Sequence, residues 1–218
     1  MICGCDESGR GPVLGPLVIA GVIYEDDSDL IKLNVRDSKK VTPKRRTALA
    51  ETIKKIAANY EVLIVSASDI DDMRKVMTLN EIEVNAFGKI IEKLKPELCY
   101  VDAADVNEER FGRNILSKLS FRPKIISKHK ADEIYPIVGA ASILAKTTRD
   151  EIVRKIAVDL EKKLNLPLGS GYPADSITKK FLKIWVETYG ELPPHVRHSW
   201  KTAQKLMKES KMRTLDDF

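Results

Sequence analysis

"ICGCDESGRGPVLGPLVIAGVIY" (residues 2–24) contains two apolar runs joined by a link rich in glycine and proline. The runs are rich in β-branched residues and predict two strands, the second over 13–24, close enough in sequence to form a hairpin-like pair. The first ends in adjacent carboxylates, Asp6 and Glu7, followed by Ser8, Gly9, Arg10 and Gly11. A turn needs a glycine, but not paired negative charge at the end of an apolar strand, nor a cation set between two glycines.

Further along, Thr42-Pro43 marks a helix N-terminus, with Leu49, Ile53 and Ile56 following at helical spacing. Residues 60–68 read as a third strand, Thr78–Lys93 as an amphipathic helix closed by Pro96, and 97–105 as a fourth strand. Phe111–Leu119 reads as a helix and 123–132 as a fifth strand. A long helix is expected from about Asp132 to Leu164, with Pro136 in its first turn. "LPLGSGYPAD" (166–175) breaks the pattern, and two amphipathic helical segments, 176–189 and 199–211, flank Pro193-Pro194. Strands first, then strands alternating with helices, imply an α/β fold: a mixed sheet covered by helices, with a helical C-terminal portion.

The chain has 218 residues, 43% apolar and 32% charged, a globular composition long enough to bury a full core. Lys and Arg outnumber Asp and Glu by 37 to 32, and the net charge of +5 suits a polyanionic partner without requiring one. No apolar run approaches the roughly 18 residues of a membrane span. Cys3, Cys5 and Cys99 are an odd set with no signal peptide, which argues for a reducing interior. Lacking a second pair or a nearby histidine, they read as small apolar side chains inside strands rather than as a zinc site.

Asp6 ends the first strand and Asp102 ends the fourth, after "LCYV". If those strands are parallel neighbours, both carboxylates meet at the sheet edge where open α/β sheets bind ligands. Gly4 and Asp6 share a face by period two, as do Leu98, Tyr100 and Asp102; Glu7 points to the opposite face unless the following glycines bend the strand. Asp132, taken alone, reads as the cap of the long helix. Acids gathered at strand ends repel unless a cation neutralises them, and oxygen donors without histidine or thiolate select Mg²⁺ or Mn²⁺. Two such ions, roughly 3.5–4 Å apart, form a clamp for in-line attack on a phosphodiester. A solvated loop start remains the alternative for Asp6 and Glu7.

"DESGRGPVLGPLVIAGV", "DSKK", "YVDAADVNEERF", "SKHKADEIYPIVGAASILAKTTRD" and "GSGYPAD" occur in this order, and together resemble type 2 ribonuclease H (ribonuclease HII), archaeal branch, over residues 1 to about 205. The resemblance implies a ribonuclease H-like mixed five-stranded sheet flanked by helices. It implies a catalytic domain over 1–175 and a C-terminal helical extension over 176–218, with a flexible tail at 210–218. Asp6, Glu7, Asp102 and Asp132 become the catalytic acids that bind two divalent ions, Mg²⁺ or Mn²⁺. Gly9, Arg10 and Gly11 read the ribonucleotide, which differs from its DNA counterpart by a 2′-hydroxyl. Tyr172 stacks on the following sugar, although a tyrosine in such a loop also serves to cap a core. Ser142 and Lys146, four apart on one helix face, contact phosphates, as does Lys39.

The activity so implied is endonucleolytic cleavage of RNA in RNA/DNA hybrids and on the 5′ side of ribonucleotides in duplex DNA, leaving 3′-hydroxyl and 5′-phosphate ends. The enzyme is expected to be a cytoplasmic monomer. Met212, Leu215 and Phe218 have the spacing of a sliding-clamp peptide but lack its leading glutamine and second aromatic; a frayed amphipathic tail is the alternative. His129 reads as a polar strand end or an aid to proton transfer. His195 and His198 read as packing or phosphate-facing residues. Two other functions share these features: a junction resolvase or exonuclease on the same sheet, and a non-catalytic nucleic-acid binding module. A phosphate-cradling nucleotidase fails because "GRGPVLGP" is not followed by Gly-Lys-Ser/Thr.

Overall fold

The computed structural model describes residues 1–35 and 42–216, the last four of these by backbone alone. Five strands form one sheet: β1 (Ile2–Ser8), β2 (Leu17–Tyr24), β3 (Asn59–Val65), β4 (Leu98–Asp102) and β5 (Lys124–Lys128), in spatial order β3-β2-β1-β4-β5. β1 runs antiparallel to β2 and parallel to β4, which is parallel to β5, so the sheet is mixed as expected. All eight residues of β2 are buried, which is why its sequence is a continuous apolar run rather than an alternating one.

The second strand starts at Leu17, not at residue 13. Gly15, at φ 91°, turns the chain just before Pro16. Residues 13–15 pair elsewhere: the Val13 N–H donates to the Gly171 carbonyl and the Gly15 N–H to the His195 carbonyl, while Leu14 bridges Val196.

The helices are α1 (Ser28–Lys32), α2 (Pro43–Ile56), α3 (Ala67–Met73), α4 (Leu79–Leu94), α5 (Glu108–Leu116), α6 (Ala131–Ile134), α7 (Pro136–Leu164), α8 (Ser176–Tyr189) and α9 (Lys201–Asp216). Thr42 caps α2 ahead of Pro43, and Thr78 with Glu81 forms a reciprocal cap on α4. The expected helix from Asp132 is in fact two. Tyr135, immediately before Pro136, is extended at φ −110° and ψ 116°, because proline disfavours helical geometry in its predecessor. Asp132 therefore sits within the short turn α6, whose cap position is Lys130 in the left-handed region. The fifth strand ends at Lys128, short of 132, because the left-handed Lys130 turns the chain into α6. α9 continues through Asp216.

The chain gathers into two compact units. The first comprises Met1–Ser8, Val18–Ile64 and Met77–Thr148; one of its cores joins Val18, Ala20 and Val22 of β2 to Ile137, Ala141 and Leu144 of α7. Near its start α7 is apolar all round and rich in alanine, as a buried helix requires. The second comprises Gly9–Leu17, Val65–Val76 and the chain from Arg149 onward, with Leu14, Leu160, Phe181 and Trp185 in its core. Cys3, Cys5 and Cys99 are buried and form no disulfide, and their thiols lie within 4.8 Å of one another. Among the described residues no helix is long and apolar enough to cross a membrane.

Candidate active site

The parallel pairing of β1 with β4 places Cys5 beside Val101, so Asp6 and Asp102 are the next residues on adjacent strands. Asp132 comes to them from α6. The three side chains each offer a carboxylate oxygen, and these lie within 4.8 Å of one another. Asp6 and Asp132 are only 5% and 3% exposed. Asp6 Oδ1 accepts from the Glu7 N–H at 2.7 Å, and Lys146 Nζ lies 3.7 Å from Asp132 Oδ2. Glu7 belongs to the regular part of β1, opposite Ile19 of β2, and stands outside the three-acid group.

Burial pushes the Asp6 carboxyl well above the usual carboxylate range, and the charges of Glu7 and Asp102 push it further; the Ser142 hydroxyl and the Lys146 ammonium oppose the rise. Asp102 is raised too, first by burial and then by Asp132, against the backbone N–H groups of Asp132, Ala131 and Lys130. Oxygen-only donors that are buried and mutually repelling fit a hard divalent cation, which removes the repulsion. Ser142 and Lys146, one turn apart on α7, thus belong to the surroundings of the acids. Ser142 is fully buried there.

Gly9, Arg10, Gly11 and Tyr172 belong to the second unit. Gly9 has φ 95°, and a Cβ on it would lie 2.4 Å from the Pro16 carbonyl oxygen, so only glycine fits. A Cβ on Gly11 would meet the Tyr172 ring at 3.5 Å. Tyr172 is 43% exposed, which the core-capping alternative does not require. Its loop is tied down from α8: the Gly171 N–H donates to Thr178 Oγ1 at 2.9 Å, and the Ser170 N–H to Asp175 Oδ2 at 2.7 Å. The Ser170 N–H and hydroxyl hold the Asp175 carboxyl down at about 2.

Two arginines escaped the sequence reading. Arg149 is buried with its guanidinium 5.5 Å from the Tyr172 ring centroid, and its Nε and Nη2 have no hydrogen-bond partner among the described residues. Arg197 is fully buried and donates to carbonyls of the Gly9–Gly15 loop. Neither carries a local signal, because the carbonyls that Arg197 meets and the Tyr172 ring beside Arg149 lie far along the chain from them. His129 spans Ala103 and Glu108, its ring nitrogen 3.3 Å from the Ala103 carbonyl and its N–H 2.6 Å from Glu108 Oε1. Lys39 and Phe218 lie outside the described residues.

The family model for ribonuclease HII matches residues 3–203. Ribonuclease HII of Methanococcoides burtonii is 50% identical over 214 residues, covering 94% of this chain and 99% of its own. The solved structure of the ribonuclease H2 from Pyrococcus horikoshii OT3 matches with a TM-score of 0.88 at 40% identity, over 96% of this chain and 98% of that one. That of the PCNA:RNase HII complex from Archaeoglobus fulgidus matches at 0.86 and 43% identity, over the whole of both chains. The chain belongs to the ribonuclease HII family, the metal-dependent endoribonucleases that cleave the RNA of RNA/DNA hybrids and cut at ribonucleotides within DNA.

Proposed function

We propose that this chain hydrolyses the phosphodiester on the 5′ side of a ribonucleotide, in duplex DNA and in hybrids, leaving 3′-hydroxyl and 5′-phosphate ends. The convergence of Asp6, Asp102 and Asp132 within 4.8 Å carries this reading. With Glu7 they hold Mg²⁺ or Mn²⁺, two ions during catalysis. Bound there, divalent cations supply the positive charge needed at the attacking water and at the leaving oxygen. The carboxylates fix where that charge stands, so no protein nucleophile is required. Ser142 steadies Asp6, and Lys146 offers its ammonium to a phosphate.

Recognition falls to Gly9, Arg10 and Gly11, with the backbone approaching the sugar 2′-oxygen and Arg10 on a phosphate, and to Tyr172, stacked on the next sugar. Lys39 takes a further phosphate. Catalysis belongs to residues 1–175, and the extension 176–218 supports recognition through Thr178 beneath the Tyr172 loop. Met212, Leu215 and Phe218 dock on a sliding clamp; the Archaeoglobus fulgidus complex and the 57% exposure of Met212 support this assignment. The protein works as a monomer in the cytoplasm, where its free thiols stay reduced.

A duplex carrying one ribonucleotide tests the reading. In Mg²⁺ or Mn²⁺ it is nicked once, 5′ of the ribonucleotide, and the all-DNA duplex stays intact. Brisk cleavage in excess chelator, or equal cutting of both duplexes, overturns it. Tyr172→Ala lowers kcat/KM at the isolated ribonucleotide about 10-fold, the size of one lost stacking contact, and lowers it less on a long RNA tract. Equal losses on the two substrates would contradict the role of Tyr172 at the RNA-to-DNA step.

A further inference from the structure

Arg197, between α8 and α9, is among the largest fully buried side chains. Its Nε donates to the Gly15 carbonyl at 2.9 Å, Nη1 to the Arg10 carbonyl at 3.1 Å and Nη2 to the Gly9 carbonyl at 2.6 Å. Its guanidinium lies 4.7 Å from the centroid of the Trp200 ring, and Trp200 Nε1 donates to the Gly11 carbonyl at 3.3 Å. Two side chains therefore take every carbonyl of the Gly9-Arg10-Gly11 tripeptide. The turn that bears them is itself anchored. Asp71 of α3 accepts from the backbone N–H groups of His198 and Ser199 at 2.7 and 2.9 Å, and from the Ser199 hydroxyl at 2.6 Å.

Fixing a carbonyl fixes its peptide plane. No peptide bond here is cis, and a trans peptide directs its N–H opposite to its C=O. With the Gly9 and Arg10 carbonyls drawn to Arg197, the N–H groups of Arg10 and Gly11 are turned to the other side of the chain. The next residue, Pro12, has no N–H to offer. A buried apolar side chain of similar volume would fill this space without the desolvation of a cation, so packing alone does not account for Arg197. Lysine, a point charge, cannot span three separate carbonyls as a planar fork does.

We propose that Arg197, with Trp200, is a positioning pair that sets ribonucleotide specificity: by holding the three carbonyls it presents the Arg10 and Gly11 N–H groups to the sugar 2′-oxygen and the phosphate beside it. This rests on the reading of the Gly9–Gly11 loop as the ribonucleotide reader.

The test measures kcat and KM separately for the wild type, Arg197→Lys and Trp200→Phe, on a duplex with one ribonucleotide and on a full RNA/DNA hybrid. Trp200→Phe keeps an aromatic face beside Arg197 and removes the N–H donor together with the pyrrole ring. KM at the single ribonucleotide rises about 10-fold in Arg197→Lys and about 3-fold in Trp200→Phe, the loss of charged and neutral hydrogen bonds respectively. On the hybrid it rises less, because neighbouring ribonucleotides offer further registers. The rise in unfolding midpoint caused by Mg²⁺ is unchanged. A merely structural role would instead lower kcat on both substrates in proportion to folded protein and leave KM alone, and that result overturns the proposal. So does wild-type KM in both variants; if Arg197→Lys does not fold, Trp200→Phe decides. A wild type that cuts all-DNA duplex equally well refutes the reading of the loop itself, a result separate from any variant.

Discussion

Asp6→Asn lowers cleavage at a single ribonucleotide by about 10³-fold or more and, in excess chelator, raises the unfolding midpoint. Both effects come from one charge. The amide keeps the shape of the carboxylate but cannot contribute a negative oxygen to a divalent cation, so the group that places the catalytic charge is lost. Without a cation, the native carboxylate is a liability, because burial, Glu7 and Asp102 all disfavour its ionised form. Its folded pKa lies above the ordinary 3.8, so its protonated form is the one the fold prefers. That contribution is complete below the ordinary value and is lost as pH rises through the elevated one. In chelator, the wild-type midpoint therefore falls as pH climbs from about 4 toward neutral, and Asp6→Asn removes much of that slope. At neutral pH the gain is about 1–2 kcal/mol, a few degrees in a chain of this size. Mg²⁺ raises the wild-type midpoint by mass action and leaves the variant nearly unmoved. Thermal unfolding across pH, with and without Mg²⁺, checks this; a lowered midpoint in chelator or retained cleavage would remove Asp6 from the metal site.

The acids were legible because strands have period two and parallel sheets collect ligands at their carboxyl edge. Asp6 and Asp102 close two apolar runs, and the one condition, that β1 and β4 be parallel neighbours, is met. Asp132 was legible as an acid but not in its place. The extended Tyr135 before Pro136 cuts the helix in two and leaves Asp132 in a turn of its own, where a continuous helix would have used it as a cap. The second strand is shorter than its apolar run because residues 13–14 serve another partner: they pair with segments near Gly171 and Val196, which no local pattern reveals. Arg197 was invisible for the same reason. In "PPHVRHSW" it reads as one more surface cation, yet its acceptor at Gly15 lies 182 residues away.

Gly4→Ala lowers stability by about 3 kcal/mol, roughly 6–12 °C in midpoint, and lowers cleavage about 100-fold in the protein that still folds. A Cβ on Gly4 would lie 2.3 Å from the Ile137 carbonyl oxygen and 2.7 Å from the Val138 nitrogen. These are backbone atoms in the first turn of α7, and no rotamer change clears them, so the helix must shift. Gly21 offers the comparison: its Cβ would meet side-chain atoms of Ile90 and Leu94, at 2.4 and 2.8 Å, rather than backbone, so the neighbours yield by repacking and Gly21→Ala has the smaller effect. The catalytic loss follows from register. Gly4 and Asp6 share a face of β1 and stand about 6.6 Å apart along the strand. Ile137 and Ser142 stand about 7.5 Å apart along α7. The helix whose backbone touches β1 at Gly4 also carries Ser142 and Lys146, which oppose the rise of the Asp6 carboxyl. Moving α7 off β1 by about 1 Å takes both groups from Asp6, and a misplacement of that size is enough for a 100-fold loss. Unfolding curves and kcat for Gly4→Ala beside Gly21→Ala check the argument; equal behaviour of the two would sink it.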